Sequence, residues 1–79
     1  MPNTVTIKNG SNAQHFYTAY DKVNNDNIVF SGNVDVGTSS TPFDLAAGPD
    51  GTGSVNVIPA QMVGQLFYGV VDNQELLMQ

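Results

Sequence analysis

The stretch from Ala47 to Ser54, AGPDGTGS, has the residue types that come nearest to a functional motif in this chain. Glycines at this density bind phosphate when a Lys-Ser or Lys-Thr pair follows them and a helix begins behind them. Here Gly53 precedes the strand-like sequence SVNV, and no lysine is near. The glycine spacing also departs from the dinucleotide-binding fingerprint. We therefore expect no phosphate or nucleotide site.

The same stretch has the chemistry of a tight turn. Pro49 presets φ for the second position of a turn, Asp50 suits the third, and a glycine then supplies a positive φ. Alternating segments flank it on both sides, Phe43-x-Leu45 before and Val55-x-Val57 after. We predict that these two segments are the arms of a hairpin.

Catalysis would have to involve His15, the only histidine of the chain. No G-x-S-x-G nucleophile motif accompanies it. Asp50 with Asp44 or Asp26 would supply oxygens to calcium, but the D-x-D-x-D-G pattern with a distal glutamate is missing. We expect His15 to be structural or interfacial, with no catalytic, metal or cofactor site, and so do not expect an enzyme.

The charge balance argues against nucleic acid as a partner. Lys8 and Lys22 are the only lysines, arginine is absent, and the formal net charge is −5. Phosphate backbones and anionic lipid surfaces are bound by clustered basic side chains. The chain has no cysteine and does not open with a charged and then apolar signal sequence, so the compartment stays undetermined. Its apolar runs are far shorter than the roughly 20 residues that span a bilayer.

Period-two alternation predicts strands along most of the chain. From Thr4 to Lys8, Val5 and Ile7 share one face, as in a half-buried strand. From Ile28 to Val36 the alternation is longer and contains Gly32. This segment is predicted to be one long strand with a bulge, or two strands that bend from one sheet to another.

Further strands are predicted in the middle and at the end of the chain. The segment Gln14 to Val23 is rich in aromatic residues, but its facing is ambiguous. Pro59 is expected to end the strand that contains Val57, and only Ala60 to Gly64 would permit a helical turn. Gln65 to Val71 is a late strand, on which Glu75 to Met78 can pair back after a turn at Asp72-Asn73.

These elements predict one all-β domain over residues 1–79. Six or seven short strands favour a small antiparallel β-sandwich or barrel, immunoglobulin-like or jelly-roll-like in general architecture. A chain of 79 residues hides only about 60 to 65 % of its unfolded surface, so its core is thin. We therefore predict a non-catalytic module that binds proteins, copies of itself in particular, as a structural or assembly subunit does.

Aromatic residues indicate where such a contact would form. The sequences FYTAY and QLFYGVV carry aromatics on both faces of their strands, and tyrosine is enriched at interfaces. The interface candidates are Tyr17, Tyr20, Phe67 and Tyr68.

Two other functions stay open at the level of sequence. A lectin-like protein would bind a glycan through amides and carboxylates in turns, for which Asn12, Asn25 and Asp26 are the candidates. A protease inhibitor would present an exposed loop such as Gly37 to Pro42. Asparagine also has a conformational reason to occupy turns, which weakens the lectin interpretation.

Overall fold

Seven β-strands form the protein in the computed structural model, which describes residues 3–79. The strands are β1 (Asn3–Asn9), β2 (His15–Asp21), β3 (Asn27–Val34), β4 (Phe43–Leu45), β5 (Gly53–Pro59), β6 (Gln65–Val70) and β7 (Glu75–Met78). The described residues include no helix, and hence none that is long and apolar enough to cross a membrane. The prediction of an all-β domain with six or seven strands is confirmed.

The strands form two sheets that enclose one core. The large sheet has the order β3-β2-β5-β6 with antiparallel neighbours throughout, and the small sheet has the order β4-β1-β7. In the small sheet β1 runs antiparallel to β4 but parallel to β7. The fold is thus a small β-sandwich. Its strand order differs from that of an immunoglobulin constant domain, in which the first and second strands are neighbours.

The core is made of the inward-facing residues of both sheets. In β1 and β5 every second residue is buried, which is the alternation expected of a strand with one covered face. The facing of β2 is now defined, because Tyr17 and Ala19 point inward. The buried apolar residues are Val5, Ile7, Tyr17, Ala19, Val34, Phe43, Leu45, Val55, Val57, Val70, Leu76 and Met78.

A bulge at Val29 changes the facing of β3. Ala19 lies opposite Phe30 while the next residue, Tyr20, lies opposite Ile28, so Val29 is the extra residue. Phe30 points inward, in phase with Val34, and stacks on Phe43 with ring centroids 5.3 Å apart. Ile28 points outward. One long strand with a bulge was one of the two predicted alternatives and is the one observed.

The hairpin predicted around AGPDGTGS is wrong. β4 pairs with β1 in the small sheet, whereas β5 pairs with β2 and β6 in the large sheet. Leu45 and Val55 both face the core, but from opposite sheets. Alternation shows that one face of a strand is buried without showing in which sheet the strand lies.

Two possibilities left open near the end of the chain are not realised. At Ala60 to Gly64 the chain makes a tight turn instead of a helical one, with Met62 N–H bonded to the Pro59 carbonyl at 3.1 Å and Gln61 at a φ of 62°. β7 does not pair back on β6. The Asn73 N–H bonds the Thr4 carbonyl at 2.7 Å, and this bond brings the chain to the small sheet beside β1.

Candidate interaction surface

The AGPDGTGS loop is a turn whose polar groups bond to one another. Gly51 N–H donates to the Gly48 carbonyl at 3.0 Å, and Gly51 has a φ of 84°, as the turn prediction requires. Gly48 N–H donates to the Thr52 carbonyl at 2.7 Å. The Thr52 hydroxyl and N–H both donate to the Asp50 carboxylate and lower its pKa. The backbone N–H groups with which a phosphate loop would bind its ligand are thus used within the turn.

His15 lies at the start of β2, half-buried, with its ring tilted against Tyr17 at a centroid distance of 5.8 Å. Within residues 3–79 no three side chains of the metal-binding types His, Cys, Asp or Glu gather at one place. Asp26 forms an ion pair of 2.7 Å with Lys22, while Asp44 accepts a hydrogen bond from the Thr4 hydroxyl at 2.6 Å. These side chains have structural partners on the surface.

The lectin candidates do not form one site. Asn12 precedes β2, whereas Asn25 and Asp26 follow it. The seven residues of β2 separate the two loops by about 20 Å at 3.3 Å per residue. Asn25 and Asp26 have φ values of 57° and 59°, a conformation that favours Asn, Asp and Gly over other residues. Their presence therefore has a conformational explanation.

The segment Gly37 to Pro42 is held against β1. Ser40 N–H donates to the Ile7 carbonyl at 2.7 Å, and Ile7 N–H donates to the Ser40 hydroxyl at 2.9 Å. Asn9 N–H bonds the Thr38 carbonyl at 3.0 Å. An inhibitory loop must offer its backbone to a protease, and these bonds occupy that backbone instead.

The four aromatic candidates divide between the core and the surface. Tyr17 is fully buried, and Phe67 packs against the core from the inner side of β6. Both therefore leave the set of contact residues predicted from the sequence. Tyr20 and Tyr68 lie on the opposite side of the large sheet, where Tyr20 is half-buried and Tyr68 is 71 % exposed.

Tyr20 and Tyr68 belong to a broad surface without charge, which we call the outer face. Strand register places Ile28, Tyr20, Asn56 and Leu66 in one row across all four strands of the large sheet. The outer face, taken from alternate residues of these strands, consists of Phe16, Thr18, Tyr20, Ile28, Ser31, Asn33, Ser54, Asn56, Ile58, Leu66 and Tyr68. None of these side chains carries a charge.

The exposed side of the small sheet is different in character. Its outward-pointing residues are Thr4, Thr6, Lys8, Asp44, Glu75 and Leu77. Three of these six are charged and two are threonines, which is ordinary for a sheet face that meets water. The outer face of the large sheet is therefore an exception within the same molecule.

Sequence reasoning missed Ile28 and Leu66, which are 60 % and 46 % exposed. Regular alternation from Ile28 to Val36 would put Ile28 on the same face as Phe30, because it takes no account of the bulge. One signal was present in the sequence: β3, β5 and β6 contain no charged residue, and β2 contains only Asp21. Strands without charge on either face predict a sheet that is covered on both sides.

In comparisons with protein-family models, curated proteins and solved structures, the chain matches none of them. The function is accordingly inferred from the geometry above.

Proposed function

We propose that the protein is a non-catalytic interaction module that associates with copies of itself through the outer face. The observation that carries this proposal is the contrast between the two sheets, since only the large one exposes a face without charge on which six of eleven side chains are aromatic or aliphatic. Burying such a surface removes aromatic and aliphatic groups from water without having to desolvate any charge.

The charge of the chain favours this face as the place of contact between copies. Each copy has a formal net charge of −5, so contact through most other parts of the surface would bring carboxylates together. Two outer faces meet without like-charge repulsion at the contact itself. A two-fold arrangement would place the same residues on both sides of the interface.

The size of the face indicates a reversible association. Four strands spaced at about 4.8 Å and roughly 20 Å long give a plane of about 400 Å². A stable interface buries about 800 Å² from each partner. Protruding side chains such as Tyr68 and Ile28 add to the buried area, but the contact remains at the small end of the range. We expect association that depends on concentration in the micromolar range and above.

The free edges of the large sheet support self-association as well, since an unpaired edge strand can pair with a strand of another copy. β3 is an eight-residue edge strand without charge or proline, and β6 is a six-residue edge of the same kind. β3 and β6 each contain one bulge, but proteins that stay monomeric usually protect such edges with charges, prolines or short strands as well. The small sheet does so, because β4 has only three residues, including Asp44, and β7 contains Glu75.

Matched leucine substitutions test the proposal. Leu66 on the outer face and Leu77 on the small sheet are 46 % and 44 % exposed, so their replacement by serine removes similar apolar surfaces. Leu66→Ser and Tyr68→Ser should each weaken self-association about tenfold or more in sedimentation equilibrium, and Leu77→Ser should leave it unchanged. A wild-type chain that stays monomeric through the micromolar range, or equal effects of Leu66→Ser and Leu77→Ser, would refute the proposal.

A further inference from the structure

The turn between β5 and β6 presents an apolar tip to solvent. Val63 is 92 % exposed, the highest value among the exposed large apolar residues of the described chain, and its neighbour Met62 is 52 % exposed. The tip, defined as Ala60 to Gly64, contains no charged residue. Valine is rigid at χ1, so holding it in one position costs little side-chain entropy.

A shallow cavity of about 130 Å³ lies on the exposed side of the small sheet. Its lining residues are Thr4, Val5, Thr6, Pro42, Asn73 and Gln74, none of which is charged. A cavity of about 150 Å³ accepts a molecule as large as benzene, so this one has room for the isopropyl group of a valine. We call it the threonine cavity.

The tip and the threonine cavity are at opposite ends of the sandwich. The tip joins the end of β5 to the start of β6, close to Phe16, whose carbonyl accepts the Ala60 N–H at 2.8 Å. The cavity lies at the start of β1, which is tied to the other end of the large sheet by the bond from the Asn3 side chain to the Gly51 carbonyl at 3.0 Å. A chain therefore cannot insert its own tip into its own cavity.

The two ends also differ in charge. The cavity end carries five exposed carboxylates and one lysine, namely Asp26, Asp44, Asp50, Asp72, Glu75 and Lys22. The tip end has Lys8 and His15 with a single carboxylate, Asp35. Contact between two cavity ends is therefore repulsive, whereas contact between a cavity end and a tip end is not.

We propose that Val63 of one copy inserts into the threonine cavity of a second copy, so that copies join head to tail. The contact is heterologous, because different surfaces of the two copies meet, and repetition without closure extends it into a filament. Its residues do not belong to the outer face, so the head-to-tail contact can be tested separately from the proposed face-to-face contact. One tip buries little area, so the contact is weak and is measured at high chain concentration.

Two complementary variants test this arrangement on a Tyr68→Ser background, which weakens the outer-face contact. Val63→Asp places a carboxylate at the tip and leaves the cavity intact. Thr6→Tyr fills the cavity and leaves the tip intact, and Pro42→Tyr blocks the same cavity if Thr6→Tyr does not fold by circular dichroism. Neither variant alone should form chains, but a mixture of the two still contains one working tip and one working cavity.

The mixture is examined by sedimentation velocity and by amide chemical shifts, with one variant labelled with ¹⁵N at a time. We expect a dimer and no larger species. Shifts should appear at the tip when the Thr6→Tyr chain is labelled, and around Thr4 and Asn73 when the Val63→Asp chain is labelled. Each variant alone should self-associate with a dissociation constant about tenfold or more above that of the Tyr68→Ser parent. A mixture that stays monomeric without these shifts, or variants that assemble alone as the parent does, would overturn the proposal.

Discussion

The Asp21 carboxylate accepts a hydrogen bond from the backbone N–H of Ala46 at 2.8 Å and thereby ties the end of β2 to the residue that follows β4. Its other oxygen accepts the N–H groups of Val23 and Asn24 at 3.1 and 3.3 Å. Asp21 is the one buried carboxylate of the described chain. It connects the end of β2 in the large sheet to the end of β4 in the small sheet.

Removing this acceptor should destabilise the fold strongly. Asp21→Asn replaces one oxygen by an NH₂ group, which leaves at least one backbone donor without an acceptor. We expect the free energy of unfolding in urea to fall by about 2 to 3 kcal/mol. Asp26→Asn in the same turn is the control, because it breaks only the exposed pair with Lys22, which contributes less than about 1 kcal/mol. Equal losses in the two variants would contradict this role of Asp21.

Asn9 has the corresponding position at the other end of the sandwich. Its buried side-chain NH₂ donates to the carbonyls of Ala13 and Val34 at 2.8 and 2.9 Å, and its oxygen accepts from the N–H and hydroxyl of Ser11. Asn9→Ala leaves these groups unsatisfied and should cost about 2 to 3 kcal/mol. Exposed Asn12→Ala should change stability by less than about 0.5 kcal/mol. A loss below about 1 kcal/mol for Asn9→Ala would mean that water replaces the amide.

Strand positions were predictable from the sequence where alternation was regular. β1 and β5 were predicted because Val5 and Ile7 in one strand, and Val55 and Val57 in the other, alternate with polar residues and so mark the buried face. Strand partners were not predictable, since they depend on hydrogen bonds between distant segments, such as the bond from Ala46 to Asp21. A pattern of buried and exposed residues contains no information about these contacts.

The candidate surface was predictable in part. Tyr20 and Tyr68 are among the candidates because their strands carry aromatic residues on both faces, and a single core covers only one face of a strand. The exposure of Ile28 was not predictable in this way, because the extra residue in β3 reverses the facing of the strand residues that precede it. The contrast between the two sheets required knowledge of which strands are neighbours.

Tyr17 should make the fold sensitive to alkaline pH. Burial raises its pKa above the ordinary value of 10.0, and a hydrogen bond with Ser11 opposes this rise only in part. The stabilisation from the neutral phenol is therefore complete below about pH 10 and is lost as pH rises through the folded-state pKa. We expect the free energy of unfolding to fall more steeply above about pH 10 in the wild type than in Tyr17→Phe. Equal slopes in the two proteins would show that Tyr17 ionises in the folded state without cost.

Salt should strengthen association through the outer face. Copies with a formal net charge of −5 repel one another at long range, while the contact itself contains no ion pair for salt to weaken. The Debye length falls from about 30 Å at 0.01 M to about 8 Å at 0.15 M ionic strength. Sedimentation equilibrium on the Val63→Asp variant, which lacks the head-to-tail contact, should therefore give a dissociation constant that falls severalfold over this range of sodium chloride. A constant that rises steadily with salt would mean that opposite charges hold the copies together, and the outer face has none to offer.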